Sequence, residues 1–237
     1  MSKTALMIIL VVMTVLLSNS GDAAFFVKPG HSIQAAINAA GPGQTVEVQN
    51  GTYDENVNVT KRLILKGIGN PLVDDRGKGR AITISANGST LLGFIATGSG
   101  KGSDNAGIRV LSGGNMIKNN TVIENNNYGF FLYRNSNNTI IENIARGNRN
   151  SGYSLIHSNN NQILGNVVSE NKEGISIQTS RGNIIKGNNL TWNRIGINIS
   201  NYNQSESITT VGKGVFIEYR SGDQMTSVAS ILKCHKV

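Results

Sequence analysis

The sequence predicts an all-β fold, a parallel β-helix in which each turn of the chain stacks on the one before. Three observations carry this. Five glycines recur at near-equal spacing, Gly107, Gly129, Gly152, Gly174 and Gly196, with gaps of 22, 23, 22 and 22 residues. After each glycine comes an apolar–x–apolar pair: Ile108/Val110, Phe130/Leu132, Tyr153/Leu155, Ile175/Ile177 and Ile197/Ile199. Three asparagine series run in phase with the glycines: Asn115/Asn138/Asn161/Asn183, Asn120/Asn143/Asn166/Asn188 and Asn125/Asn148/Asn171/Asn193. A fixed period in this range marks stacked supersecondary units. Alternating apolar positions make strands that bury one face, and Asn and Gly tolerate the left-handed backbone of sharp bends. Equivalent residues then lie ~4.8 Å apart on successive turns, close enough for asparagine side chains to bond up and down a column.

Met1 to about Ala23 reads as a secretory signal, with Lys3 at its start, an apolar core over Ala5–Leu17 and small residues at Gly21-Asp22-Ala23. The apolar run is short for a bilayer span. The mature chain is therefore expected to be secreted, displayed at the cell surface or periplasmic. Residues 24–44 form the expected cap. Ser32 is a good N-cap for a short helix reaching about Ala40, with Ile33, Ala36 and Ile37 on one face and Gly41-Pro42-Gly43 ending it. Such a helix covers the open end of a solenoid, which otherwise exposes its apolar interior and strand edges.

The β-helix is expected over residues 45–203. Thr45–Val48, Asn56–Val59 and Leu63–Leu65 read as its first strands, with a turn at Asn50-Gly51. Ile82/Ile84 and Leu92/Phe94 mark an irregular turn. It is longer than the rest, and the excess is expected in the loop from Gly98 to Asp104. After Ser200 the repeat fades. In residues 204–237, an irregular segment or cap, Val215–Tyr219 reads as one more strand and Met225–Leu232 as a short closing helix.

Residues Phe25–Val59 carry the pattern PGxSIQxAINxAxPGxTVxVxxGTYxENVxV. This resembles right-handed parallel β-helix proteins of the NosD type, within the wider group of carbohydrate-binding proteins and sugar hydrolases that includes pectate lyases and alginate epimerases. The later rungs are similar to the same group's repeats, so the resemblance spans roughly Phe25 to Asn201. It implies the right-handed solenoid and, for the NosD type, an association with copper-site maturation in the periplasm. One β-helix hosts many functions, so activity has to be read from a site.

Hydrolases on this fold use paired carboxylates. No Asp occurs between Asn105 and Asn203, and the acids there are Glu124, Glu142, Glu170 and Glu173. Glu124 and Glu170 share a turn position two rungs apart, about 10 Å, which is wide for an inverting pair. Lyase chemistry with Ca²⁺ needs a carboxylate cluster beside a base, and none accompanies the stacked Arg134 and His157. Alginate epimerases carry a YGxDPH-like motif. Here Tyr128-Gly129-Phe130 continues as Phe131-Leu132-Tyr133, without its Asp, Pro and His. Copper favours clustered His, Met or Cys, whereas His31, His157 and His235 are far apart and Cys234-His235 is a lone pair. No catalytic residues, metal ligands or cofactor are assigned. With Cys234 the only cysteine, no intramolecular disulfide forms.

A binding strip fits better. Arg109, Leu111, Phe131, Tyr133, Arg134, Ile156, His157 and Gln178 face outward after their glycines and lie on neighbouring rungs. Aromatic faces stack on sugar rings, and Arg or Gln bonds hydroxyls and carboxylates. The candidate ligand-binding residues are Arg109, Phe131, Tyr133, Arg134, His157 and Gln178. The net charge of +8 favours an acidic partner. Lysines and arginines are scattered without interleaved aromatics, which excludes nucleic acid. Sequons such as those at Asn50, Asn58, Asn119, Asn137 and Asn189 are expected by chance in so Asn-rich a chain. The sequence thus predicts a non-enzymatic β-helix protein that binds a polysaccharide or envelope glycan or serves as a surface structural module. The alternatives are a polysaccharide-modifying lyase, hydrolase or epimerase, and an accessory factor in copper-site assembly.

Overall fold

The computed structural model describes residues 24–200 together with the strands Ser207–Val211, Phe216–Ser221 and Gln224–Ala229, the last three as backbone. The expected signal segment and Cys234-His235 lie outside the described residues. The described chain is a parallel β-solenoid whose rungs each contribute a strand to three columns.

Column one stacks Phe25–Val27, Thr45–Gln49, Ile64–Ile68, Thr90–Leu92, Met116–Lys118, Thr139–Ile141, Gln162–Leu164 and the first half of Ile184–Thr191. Column two stacks Thr52–Tyr53, Leu72–Asp74, Ile95–Thr97, Thr121–Ile123, Ile144–Arg146 and Val167–Ser169, and ends on the second half of Ile184–Thr191. Column three stacks Val57–Val59, Ile82–Ile84, Ala106–Val110, Tyr128–Tyr133, Ser151–Ile156, Glu173–Gln178 and Ile195–Ser200.

The residues that alternate inward form one continuous core. Every predicted apolar pair after a glycine is buried, as are Ile117, Ile140, Ile163 and Ile185 in column one. Phe130 and Tyr153 stack inside it, ring centroids 4.6 Å apart and planes 3° from parallel. Each fully buried aliphatic side chain contributes about 1.5–3 kcal/mol.

The asparagine series are buried columns. Asn138 Nδ2 donates to Asn161 Oδ1 (3.0 Å), and Asn161 Nδ2 donates to Asn183 Oδ1 (3.2 Å). Each Oδ1 also accepts the backbone N–H of the asparagine one rung earlier, as Asn161 Oδ1 does from Asn138 (2.9 Å). One amide thus satisfies the corner backbone of its neighbours. The left-handed conformation, however, belongs to the residue before each ladder asparagine. Asn119, Glu124, Asn137, Glu142, Asn160, Glu170 and Trp192 all have φ between 52° and 59°.

The period glycines answer to a different constraint. A Cβ on Gly129 would lie 2.7 Å from Gly152 O, and one on Gly152 would lie 2.6 Å from a Val168 methyl. Neighbouring rungs approach too closely there for any side chain, so these glycines serve packing rather than left-handed turns.

The cap forms as expected. Ser32 Oγ accepts from Ala35 N (3.1 Å), the helix spans Ile33–Ala39, and Ile33 and Ile37 are buried. Glu55, from a rung further on, takes the first-turn N–H of Ile33 (2.6 Å) and the Ser32 hydroxyl (2.8 Å), which pins the helix to the solenoid.

Three expectations change. In the irregular turn Leu91 and Ala96 hold the inward strand positions, not Leu92; Phe94 is buried at the corner where later rungs place Asn120. Phe25–Val27 and Thr52–Tyr53 are strands as well. Past residue 200 the solenoid continues. Ser207–Val211 pairs in parallel with Ile184–Thr191, and Phe216–Ser221, where a strand was expected over Val215–Tyr219, pairs with Ile195–Ser200. Gln224–Ala229, expected within a helix, is a strand antiparallel to Phe216–Ser221. The free edge of column three offers that segment a ladder of backbone partners, which outweighs its local helical pattern.

Candidate functional site

The outer face of column three holds the predicted strip. Its central outward line runs Asn58, Thr83, Arg109, Phe131, Ser154, Ser176 and Asn198, one residue per rung. A second outward line runs Tyr133, Ile156, Gln178 and Ser200. Beside it Arg134 and His157 occupy left-handed corners on adjacent rungs, φ 51° and 50°. All six candidate residues therefore fall on one face within four successive rungs.

The strand Tyr128–Tyr133 is its centre. Tyr128 and Phe131 stack with centroids 4.9 Å apart, and Phe131 and Tyr133 follow at 5.9 Å. The Arg109 guanidinium sits 6.0 Å from the Phe131 centroid, and that of Arg134 sits 5.1 Å from the Tyr133 centroid. Phe131 points outward as expected but is 3% exposed, so it supports the array and does not meet a ligand. Tyr128 covers it, although strict alternation would place it inside. Counting back by twos from inward Phe130 puts it in the core, yet the close-packed backbone at Gly129 turns it out. Its register column runs Ala106, Tyr128, Ser151, Glu173 and Ile195, and the two polar members, Ser151 and Glu173, were the available signal.

Electrostatics ties these groups together. Glu173 accepts from the Ser151 hydroxyl (3.1 Å) and from Asn198 Nδ2 (3.0 Å). Burial first, then the Glu173 charge, pushes the Tyr128 phenol above its ordinary value, against bonds to Ser154 and Asn150. Arg109 pairs with Asp104 at 3.0 Å, and Arg80 pairs with the same carboxylate oxygen. Burial and the Arg80 charge pull the Arg109 guanidinium below its ordinary value, while Asp104 and Tyr133 oppose them. Asp104 belongs to the loop in which the extra residues of the irregular turn were expected, and Ser99 N bonded to Asn125 Oδ1 (3.1 Å) puts that excess after Ser99.

The other carboxylates stand apart. Glu124, Glu142 and Glu170 occupy exposed left-handed corners. Glu142 meets Lys118 (3.2 Å) and Glu170 meets Arg146 (3.1 Å). Among the described residues no group of three or more His, Cys, Asp or Glu converges on one point. His31 lies in the exposed turn before the helix and His157 on a column-three corner. These donors do not fit a copper ion, which selects clustered imidazole and sulfur ligands. No helix among the described residues is long and apolar enough to cross a membrane.

The profile of the family described as "Periplasmic copper-binding protein (NosD)" matches residues 37–211, about three quarters of the chain. No curated protein matches. Among solved structures, the chain is similar to the alginate lyase from Paenibacillus sp. str. FPU-7, at 11% identity over 83% of this chain and 95% of that one, TM-score 0.48. It is also similar to the enzymatically active domain of tailspike protein 2 of bacteriophage CBA120, at 15% identity over 78% of this chain and 36% of that one, TM-score 0.46.

Proposed function

The chain belongs to the NosD family, and from that premise we propose that it is a periplasmic or surface-displayed β-helix protein that binds an acidic carbohydrate on the outer face of column three without turning it over. The observation that carries this reading is the array Tyr128–Phe131–Tyr133 flanked by Arg109 and Arg134 on one sheet face. Tyr133 offers its partly exposed ring to a sugar, and Arg134, His157 and Gln178 reach hydroxyls or carboxylates beside it. The wall is built before a ligand arrives, so little ordering entropy is lost on binding. A non-catalytic role is favoured because the corner glutamates are spread over separate rungs and two of them are engaged in ion pairs.

Titration calorimetry with oligosaccharides of charged and neutral type tests the reading. Tyr133→Ala combined with Arg134→Ala is expected to weaken binding at least tenfold, and raising the salt is expected to weaken the acidic ligands selectively. Unchanged affinity in the double variant refutes the proposal. New reducing ends or unsaturated products point instead to an enzyme.

A further inference from the structure

We propose that the foot of this same face carries a second subsite that takes the carboxylate of a uronic acid, so that the ligand lies along the solenoid axis. The inference rests on the carbohydrate reading above and narrows it to a substrate class. A cleft of about 300 Å³ opens between the strand Val57–Val59 and the loop that precedes Ile82–Ile84, lined by Asn56, Val57, Asn58, Lys78, Gly79, Arg80 and Thr83. Its walls are mostly polar and its charged side chains are both cationic.

The cleft is continuous with the aromatic array. Asn58 and Thr83 of its wall are the first two members of the outward line that continues through Arg109 to Phe131. Thr83 stands two rungs from Phe131, about 10 Å along the axis, a span comparable to two pyranose units. Arg80 of the cleft and Arg109 of the line share the Asp104 carboxylate, so one ion-pair chain links cleft to face. The two acids nearby are already engaged. Asp104 is held by these arginines, and buried Asp75 accepts from Asn56 Nδ2 and from Gly79 N. Asp75 thereby fixes the loop that presents Lys78 and Arg80. Lys78 is exposed at the mouth and makes no ion pair with any described residue. A carboxylate entering here meets a free ammonium, a partly buried guanidinium and the Asn58 and Thr83 side chains, the donor set an acidic sugar requires.

The test compares a linear oligouronate with its carboxyl-reduced counterpart, which has the same backbone and no charge. Binding to both is measured for the unaltered chain, for Lys78→Glu, for Lys78→Glu with Arg80→Gln, and for Tyr133→Ala with Arg134→Ala. Circular dichroism and melting establish that each variant is folded. The unaltered chain is expected to prefer the oligouronate at least tenfold. Lys78→Glu, an exposed site with no ion pair to lose among the described residues, is expected to remove most of that preference while leaving affinity for the reduced chain unchanged, and adding Arg80→Gln is expected to remove more of it, down to the part that Arg134 supplies. A preference that survives in folded Lys78→Glu overturns the subsite. Equal binding of the two oligosaccharides by the unaltered chain overturns the subsite and the preference of the face for acidic ligands, whereas loss of both on substituting Tyr133 and Arg134 still upholds a carbohydrate-binding face. Binding of neither sinks both readings.

Discussion

The rungs from Ala106 to Ser200 and those from Thr45 to Asn105 solve the same corners in different ways. In the later rungs three corner columns are built of buried asparagines, each bonded to the next. In the earlier ones the same columns end on Ser89, Phe94 and Ser99, whose backbone N–H groups donate to Asn115, Asn120 and Asn125. Loops project there, and the cationic cleft and Asp104 lie among them. Regular stacking makes each rung depend on its neighbours and leaves little room for anything else. The irregular rungs give up the ladder and gain projecting loops. The face proposed to bind straddles the boundary, with Arg80 on one side and Arg109, Tyr133, Arg134 and His157 on the other.

The sharpest way to break this comparison is to substitute two residues of one column. Asn148 Nδ2 donates to Asn171 Oδ1 (3.0 Å) and Val122 O (3.3 Å), and its Oδ1 accepts from Asn125 N (3.2 Å) and Nδ2 (2.9 Å). Asn148→Ala leaves several buried groups unpartnered on both neighbours, and a loss of about 3–5 kcal/mol is expected in denaturant unfolding. Ser99 closes the same column, and its buried hydroxyl makes no hydrogen bond to any described residue. Ser99→Ala is expected to be neutral or slightly stabilising. Equal losses at the two positions contradict the distinction between laddered and unladdered rungs.

A smaller contrast concerns glycine. Gly152→Ala forces a Cβ to 2.6 Å from a Val168 methyl and 2.9 Å from Gly174 O, and about 1–3 kcal/mol of destabilisation follows. At Gly79 the nearest atom to an added Cβ is 3.7 Å away, and the change in stability is expected to stay within about 0.5 kcal/mol. Thermal melts of the two variants check this.

The same division sets how much was legible in the sequence. The ladders, the buried pairs, the Ser32 cap and the loop before Asn105 were readable because stacking repeats one physical requirement rung after rung. Phe94 broke the reading of its own turn because an aromatic stands where the period supplies asparagine. The strand at Gln224–Ala229 was not legible because it is decided by the free edge of a sheet built from distant residues. At the candidate site, alternation placed Arg109, Tyr133 and Gln178 on the right face. It could not show that Tyr128 turns outward at Gly129 and covers Phe131, nor that Arg80 reaches Asp104, since both depend on contacts between rungs or on backbone packing that no spacing records.

The smallest expected effect reverses sign between the two regions. Tyr53, in the early rungs, donates its hydroxyl to Gln49 O at 2.8 Å. Tyr153, in the regular core, is fully buried, and its hydroxyl has no hydrogen-bond partner among the described residues. Tyr53→Phe removes a satisfied bond and is expected to cost about 1 kcal/mol, whereas Tyr153→Phe removes an unsatisfied polar atom and is expected to stabilise by up to about 1 kcal/mol. Alkaline pH separates them further. Burial raises the Tyr153 phenol well above its ordinary value of 10.0. The folded state therefore resists phenolate formation that the unfolded chain accepts near pH 10, so this residue's contribution is intact below that pH and is lost as pH rises above it. Tyr153→Phe abolishes that loss, and the variant is expected to unfold at a higher pH than the unaltered chain. Identical alkaline transitions for the two proteins place a bonding partner at Tyr153 and remove the polar flaw assigned to it.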